Sequence, residues 1–308
     1  MQAVQINQYG DNSVLENTVI PIPQPMPNQV LVQLKASSVN PVDYKIRSGY
    51  MSGVLPKSFP FTLGWEGAGI ITEVGNDVKN YQLGDEIMLM ANFMQGGTYA
   101  EYVAVNADEI MLKPKSLSFA EASVVPFSLG TAYTALIEDA QIKEGQQLLI
   151  HGAGGAVGQM AVQIAKKMGL RVIGTATGNN LQEITALGVD TAIDYANTDF
   201  STVVKNVDVV LDLVGGETLS KSYALVKKGG MIVSTTQPPN AAELTKYGIS
   251  GNMTQTRANS KIFSKISAWL ETEKMKVKQP QVLSFSDAKN ALSLVENRKT
   301  HAKIVLAF

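Results

Sequence analysis

Residues Leu148-Leu149-Ile150-His151-Gly152-Ala153-Gly154-Gly155-Ala156-Val157-Gly158 set an apolar run directly against a glycine cluster, after which apolar spacing resumes with a different period. Few arrangements accommodate that change. The run reads as a buried strand, the glycines as a tight turn with His151 inside it, and the continuation as a helix from Val157 to Met168. Val157, Met160, Ala161, Ile164, Ala165 and Met168 recur at three- and four-residue spacing, and Gly169 is placed to cap the end. A pyrophosphate can reach backbone N–H groups and the positive end of a helix dipole only where side chains do not intervene. The spacing Gly152-x-x-Gly155-x-x-Gly158 fits that demand, so Gly152, Ala153, Gly154, Gly155, Ala156, Val157 and Gly158 are the expected phosphate contacts. A strand-helix turn without a ligand is the alternative.

Around this half of a βαβ unit the alternation continues. Strands are expected at Arg171 to Thr175, Thr191 to Ile193, Val207 to Leu211 and Met231 to Val233, with helices over Asn180 to Leu187 and Thr218 to Val226. The product is a doubly wound parallel sheet. In an NAD site an Asp or Glu about 20 residues after the glycines binds the ribose 2′-hydroxyl. Here Gly174-Thr175-Ala176-Thr177-Gly178-Asn179-Asn180 offers hydroxyl and amide donors and no acid before Glu183. That favours NADPH, with Thr175, Thr177, Asn179 and Asn180 near the nucleotide; a merely polar loop is the other reading. Val214 and Ser234 lie at the ends of the fourth and fifth strands, at the carboxyl edge where ligands bind in such sheets.

The first 120 or so residues read differently. Short runs at Val30 to Leu34, Gly69 to Val74, Glu86 to Met90 and Ala100 to Val105, separated by Gly, Pro, Asn and Asp, predict an antiparallel β domain. Met1 to Ile6 alternates as an edge strand would, and Pro21, Pro23, Pro25 and Pro27 suit an edge or a connection. Helical spacing begins near Ser118 and continues from Thr131 to Asp139. After Thr256 come a helix at Lys261 to Glu271, another at Ser286 to Glu296, and a strand at Lys303 to Leu306, which are expected to return to the first domain. The expected division is 1–122 with 258–308 against 123–257.

Composition removes several function classes. The 308 residues carry a formal net charge of −1, so there is no electrostatic footprint for nucleic acid or an anionic membrane. The cluster Lys274, Lys276 and Lys278 reads as a solvated loop face. No run approaches the ~18 apolar residues of a membrane span, and no basic head precedes an apolar core at the N-terminus, so a cytoplasmic chain is expected. Cysteine is absent and only two histidines occur, His151 and His301, far apart in sequence; no metal site is expected.

Ser38-Val39-Asn40-Pro41-Val42-Asp43, Leu63-Gly64-Trp65-Glu66-Gly67-Ala68-Gly69, Val74-Gly75 and Gly84-Asp85, in that order ahead of the glycine turn, resemble the medium-chain dehydrogenase/reductase superfamily. The likeness runs from about Met1 to Leu306 and is strongest to the zinc-independent quinone oxidoreductase branch. In zinc alcohol dehydrogenases a histidine stands at the place of Trp65 and a cysteine near Asn40; both are missing here. The resemblance implies a GroES-like β domain and a Rossmann domain with a cleft between them, a homodimer paired through the Rossmann sheet edge, and hydride transfer from NADPH to a quinone or to the β-carbon of an enone. An enoyl-thioester reductase and a redox-silent NADPH-binding sensor or structural protein are the alternatives.

The same resemblance assigns residues. Asn40 would position the cofactor amide, and Tyr44 or Lys45 would donate to the substrate oxygen, against a turn-capping Asn40 and a packing Tyr44. Asp43 would orient this loop, and Arg47 would pair with it one helical turn away. Thr131 resembles a threonine near the nicotinamide, or else bonds its own helix backbone. Tyr195 matches a tyrosine close to the 2′-phosphate, or packs in the core. His301 belongs to the closing strand, where Ala302 replaces the family's glycine. Tyr50 to Pro60 and Ala91 to Gly97 would wall the substrate, with Met88, Met90 and Met94 as adaptable surroundings or plain core.

Overall fold

The computed structural model describes residues 1–256, 259–272, 275–300 and 302–308. Lys274 and His301 lie outside the described residues. The chain divides into two units, Met1–Phe127 with Ala258–Phe308, and Ser128–Arg257.

The first unit opens with β1 (Gln2–Ile6), β2 (Leu15–Val19), β3 (Gln29–Val39), α1 (Pro41–Arg47), β4 (Phe61–Thr62), β5 (Glu66–Val74), β6 (Glu86–Met90), β7 (Tyr102–Asn106), β8 (Ile110–Leu112) and α2 (Phe119–Ala122). β1 is not an edge: it lies between β2 and β4 in a three-stranded sheet. Its Val4 N–H also donates to Tyr99 O at 2.8 Å, which explains why an alternating strand buries Ala3, Val4 and Ile6. The proline-rich stretch connects β2 to β3. Met88 and Met90 are core residues of β6, while Met94 is exposed.

α3 (Val125–Tyr133) carries the chain from one unit to the other at Phe127/Ser128, a few residues beyond the expected 122/123 division, and a π-helical turn at Thr134–Asp139 follows. The second unit then runs β9 (Gln147–His151), α4 (Ala156–Lys167), β10 (Arg171–Ala176), α5 (Asn179–Ala186), β11 (Thr191–Asp194), α6 (Phe200–Val203), β12 (Val207–Asp212), α7 (Gly216–Ser222), β13 (Val226–Ser234), α8 (Ala241–Tyr247) and β14 (Ser250–Met253). All six strands are parallel, in the order β11-β10-β9-β12-β13-β14. β9 is buried from Leu148 to His151, as a central parallel strand must be with both faces covered.

Two expectations shift here. The helix sought over Thr218 to Val226 stops at Ser222, and Val226 instead opens β13 by pairing with Val207. β13 is correspondingly longer than Met231 to Val233 suggests, its irregular register between Val207 and Val209 leaving room for Gly229 at φ +80°.

α9 (Ser260–Thr272), β15 (Gln281–Ser284), α10 (Ala288–Glu296) and β16 (Ile304–Ala307) complete the first unit. β16 pairs antiparallel with β3, setting Ile304 opposite Val39, in a sheet ordered β15-β16-β3-β5-β6-β8 with β7 also on β3. α10 supplies Glu296 to Arg47 at 3.0 Å, and Arg47 also donates to Gly10 O and Asn12. Arg47 is therefore not the partner of Asp43; burial sends its fork toward α10. A buried guanidinium removed from three acceptors leaves them undersatisfied. Arg47→Met is expected to lower the unfolding free energy by about 2–3 kcal/mol, measured by urea denaturation.

Candidate functional site

Neighbours of β9 depart in opposite directions, β10 to one side and β12 to the other, which makes its carboxyl end the switch point of the sheet. His151 is the last residue of β9, not part of the turn, and its ring is fully buried. The protons around it have one consistent assignment. Ser222 Oγ donates to Thr218 O at 2.7 Å, so it accepts from His151 Nε2 at 2.9 Å. Nδ1 then accepts from Thr175 Oγ1 at 3.3 Å, whose oxygen accepts the Gly152 N–H at 3.3 Å. Burial holds the imidazole neutral, pushing its pKa down to about 4 against the opposing charge of Asp212.

This wiring narrows the expected phosphate contacts. The N–H groups of Gly152, Ala153 and Gly155 are occupied within the turn, by Thr175 Oγ1, Thr175 O and Gly152 O respectively. Thr175 faces His151 and shapes the turn. Ala156, Val157 and Gly158 open α4, where first-turn N–H groups have no intrahelical acceptor. The N-cap, Gly155, has no side chain to bond them, so they are the donors fitted to an anion.

The glycines differ in why they are glycine. Gly152 has φ +71°. A Cβ on Gly158 would lie 2.3 Å from Gly152 O, and one on Gly154 2.5 Å from Asn180 Cβ, so both permit close packing. Gly155 has an ordinary φ of −75°, and a Cβ there would meet only Gly152 O, at 3.4 Å. Neither backbone nor packing requires a glycine at 155, and the space beside it is clear for an approaching pyrophosphate. The residues present thus fit a dinucleotide.

At the end of β10, Gly178 turns the chain at φ +58°, and Asn179 and Asn180 begin α5, while the Ala196 N–H, followed by the nearby Thr177 hydroxyl, lowers the pKa of Asp194. Glu183 is turned away, accepting from Gln159 Nε2 at 2.8 Å, while the same amide bonds Gly154 O at 3.2 Å. Tyr195, following β11, is 57% exposed, so it is not core packing. Asp212, fully buried at the end of β12, accepts from the N–H groups of Val214 and Gly215 and from Ser234 Oγ at 2.7 Å. Ser234 thereby supports this loop, whereas the Val214 side chain stands half exposed. Thr131 bonds Thr256 Oγ1 at 2.5 Å, a partner outside its own helix.

In the first unit a second cluster gathers where β3 ends. Glu66, fully buried at the start of β5, accepts from Ser38 Oγ, Asn40 Nδ2 at 3.0 Å and Phe127 N at 2.8 Å, and pairs with Lys303 Nζ at 3.2 Å. Lys303 also donates to Asn40 Oδ1. Both ends of the Asn40 amide are therefore occupied, and only 1% of the residue is exposed. Asn40 thus braces this cluster. Asp43 accepts from Asn40 N at 2.8 Å and from Tyr99 Oη at 2.5 Å. Its Oδ1 is buried without a partner among the described residues. Burial raises its pKa to about 7, and raises that of Tyr99 well above the ordinary phenol value. Tyr44 and Lys45 stand on α1, each partly exposed. Trp65 is fully buried between Phe61 and Phe93, with ring centroids at 6.2 and 5.8 Å.

A family model described as the alcohol dehydrogenase GroES-like domain matches residues 26–115, and one described as zinc-binding dehydrogenase matches residues 187–306. The 2-methylene-furan-3-one reductase of Solanum lycopersicum is 33% identical over 318 residues, covering 99% of this chain and 79% of that protein. The structure of the quinone oxidoreductase from Coxiella burnetii matches with a TM-score of 0.90 at 32% identity, covering 100% of this chain and 99% of that one. The chain belongs to the medium-chain dehydrogenase/reductase superfamily. It is of the zinc-independent quinone oxidoreductase type. Escherichia coli quinone oxidoreductase complexed with NADPH shares the fold at a TM-score of 0.88 and 27% identity, with 100% of each chain covered. Cysteine is absent from this superfamily member, and among its described residues no group of three or more His, Asp or Glu is placed to hold a metal.

Sequence reasoning missed Glu66, Asp212, Lys303 and Tyr99 as organising residues. Glu66 and Asp212 each end or begin a strand as an acid beside apolar residues, which was the available signal. Two expectations follow from the geometry. Gly158→Ala should destabilise the second unit through the Gly152 O clash, whereas Gly155→Val should leave its melting temperature close to wild type and abolish nucleotide binding, by calorimetry. Asp43 binds a proton in the folded state between pH 4 and 7 that the unfolded chain, with the ordinary carboxyl value of 3.8, has released. Its contribution therefore favours folding below pH 4 and is lost as pH rises to 7. Asp43→Asn should flatten the stability profile across that window, measured by urea midpoints at each pH.

Proposed function

We propose that this chain is a zinc-free oxidoreductase that uses NADPH to reduce quinones and α,β-unsaturated carbonyl compounds. One observation carries the nucleotide half of this reading: the glycine N-cap at Gly155, which leaves the first N–H groups of α4 open and the space beside them clear. The bound nicotinamide would supply a hydride. Ala156, Val157 and Gly158 would hold the pyrophosphate through backbone N–H groups, and Val214 would border the nucleotide.

NADPH over NADH is supported by Thr177, Asn179 and Asn180, and by the direction of Glu183, which is bonded to Gln159 and not aimed at the end of β10. The relative complexed with NADPH adds to that support. Asp194, near Thr177 at the end of β11, is the observation that favours NADH, since its carboxylate would repel a 2′-phosphate.

The substrate class is supported by the relatives' names, a furanone reductase and quinone oxidoreductases. Tyr44 and Lys45 are assigned to donation toward the carbonyl or quinone oxygen as negative charge develops there. Asn40, Glu66 and Lys303 hold the loop that presents them. A cytoplasmic homodimer joined through β14 is part of the same proposal, supported by β14 lying at the end of the sheet order.

Titration of the purified protein with NADPH and NADH, followed by addition of a quinone or an enone, tests this reading. Tighter NADPH binding with nucleotide oxidation on acceptor addition is expected. Tighter NADH binding would reverse the cofactor assignment, and binding without oxidation on either acceptor class would overturn the reductase.

A further inference from the structure

Within the parallel-sheet unit, α4, α5 and the glycine turn are joined by one side-chain amide. Gln159, on α4 and only 6% exposed, donates from Nε2 to Gly154 O at 3.2 Å and to Glu183 Oε2 at 2.8 Å. A carbonyl and a carboxylate only accept, so the amide nitrogen faces them and both of its hydrogens are committed. The Gln159 backbone N–H donates to Gly155 O at 2.9 Å, which roots the side chain on the turn it braces. The start of α5 comes equally close, since a Cβ on Gly154 would lie 2.5 Å from Asn180 Cβ. Glu183 is thereby drawn sideways, toward α4.

The helix itself offers Glu183 a different direction. Glu183 follows Asn179 by four residues and Asn180 by three on α5, which sets the three on one helical face. Side chains on a helix lean toward its N-terminus, so a glutamate without the Gln159 bond leans back over the two asparagines. The positive end of the α5 dipole favours a carboxylate there. Asn179 and Asn180 are the residues assigned above to the 2′-phosphate, and a carboxylate over them would repel it. Asp194 is present in either case and does not alter this comparison.

We propose that Gln159 is a positioning residue for cofactor choice, holding the Glu183 carboxylate against the glycine turn and so keeping the first turn of α5 open to the 2′-phosphate of NADPH. The inference rests on the NADPH reading and adds to it the residue that makes an acid on α5 compatible with a second phosphate. Gln159 touches neither the phosphate nor the reacting atoms; it acts through Glu183. Side chains one helical turn apart are roughly 5–6 Å from each other, and a carboxylate at that distance from a dianionic phosphate in a water-like medium weakens binding about tenfold. NADH, which carries a hydroxyl at that place, escapes the repulsion.

The test measures dissociation constants of the full chain for NADPH and for NADH by calorimetry. Gln159→Met keeps the length of the side chain and removes both donors. It is expected to weaken NADPH about tenfold relative to NADH, and Gln159→Met combined with Glu183→Gln is expected to restore the wild-type ratio. Glu183→Gln alone should change that ratio by no more than about twofold, because the carboxylate it removes is already turned aside and screened. A brace that only packs α4 on α5 would, when lost, weaken both nucleotides alike. Equal weakening of the two, or a shift that persists in the double variant, would overturn the proposal. A tenfold gain in NADPH preference from Glu183→Gln alone would overturn it as well, and that variant leaves the Gln159 amide in place should Gln159→Met fold poorly. The wild-type ratio tests the NADPH reading by itself: tighter NADH binding sinks that reading, while the change in ratio from wild type to Gln159→Met decides the role of Gln159 whichever nucleotide the wild type prefers.

Discussion

The close approach of α4 to the end of β9 is the constraint on which the nucleotide-binding half depends. Gly158 sits against the Gly152 carbonyl at a distance that admits no side-chain carbon, and only this contact brings the helix dipole into line with the switch point of the sheet. Everything nearby serves to hold that approach. Thr175 ties down two N–H groups of the turn, Gln159 links it to α5, and His151 fixes Thr175 from beneath. Buried hydroxyls and amides such as Thr175 and Ser234 are satisfied within the protein by their own neighbours.

A similar economy governs the first unit. Glu66 is a buried carboxylate, and such a charge is tolerated only when hydrogen-bonded and paired. Lys303, Asn40, Ser38 and the Phe127 N–H all converge on it. The next acid, Asp43, is fully buried with one oxygen unpartnered among the described residues, and burial raises its pKa to about 7.

Legibility in the sequence followed periodicity. α4 and the strands β10, β11 and β12 were readable to within a residue or two because hydrophobic spacing reports burial directly. The ends were less so: Val226 belongs to β13 and not to the preceding helix because a parallel partner, Val207, overrides local pattern. Likewise β1 looks like an edge since one of its two neighbours, β4, is only two residues long and distant in sequence. Within the site, the glycines were visible, but which N–H groups remain open depends on hydrogen bonds between residues 23 or more positions apart, such as Gly152 to Thr175. Asn40 stands out in the segment 38–47, but nothing there reveals the lysine at 303 that bonds its carbonyl oxygen.

The placement of β16 on β3 also sets an order of events during synthesis. Residues 128–257 are contiguous and contain every strand of the parallel sheet, so that unit can complete its core as soon as it leaves the ribosome. The β domain cannot, although its residues emerge first. Until Lys303 is translated, Glu66 has no cation and β3 no partner on its β16 side. The earliest-made part of the chain is therefore the last to finish folding, and a nascent protein holds an incomplete N-terminal half exposed to chaperones while its nucleotide-binding half is already formed.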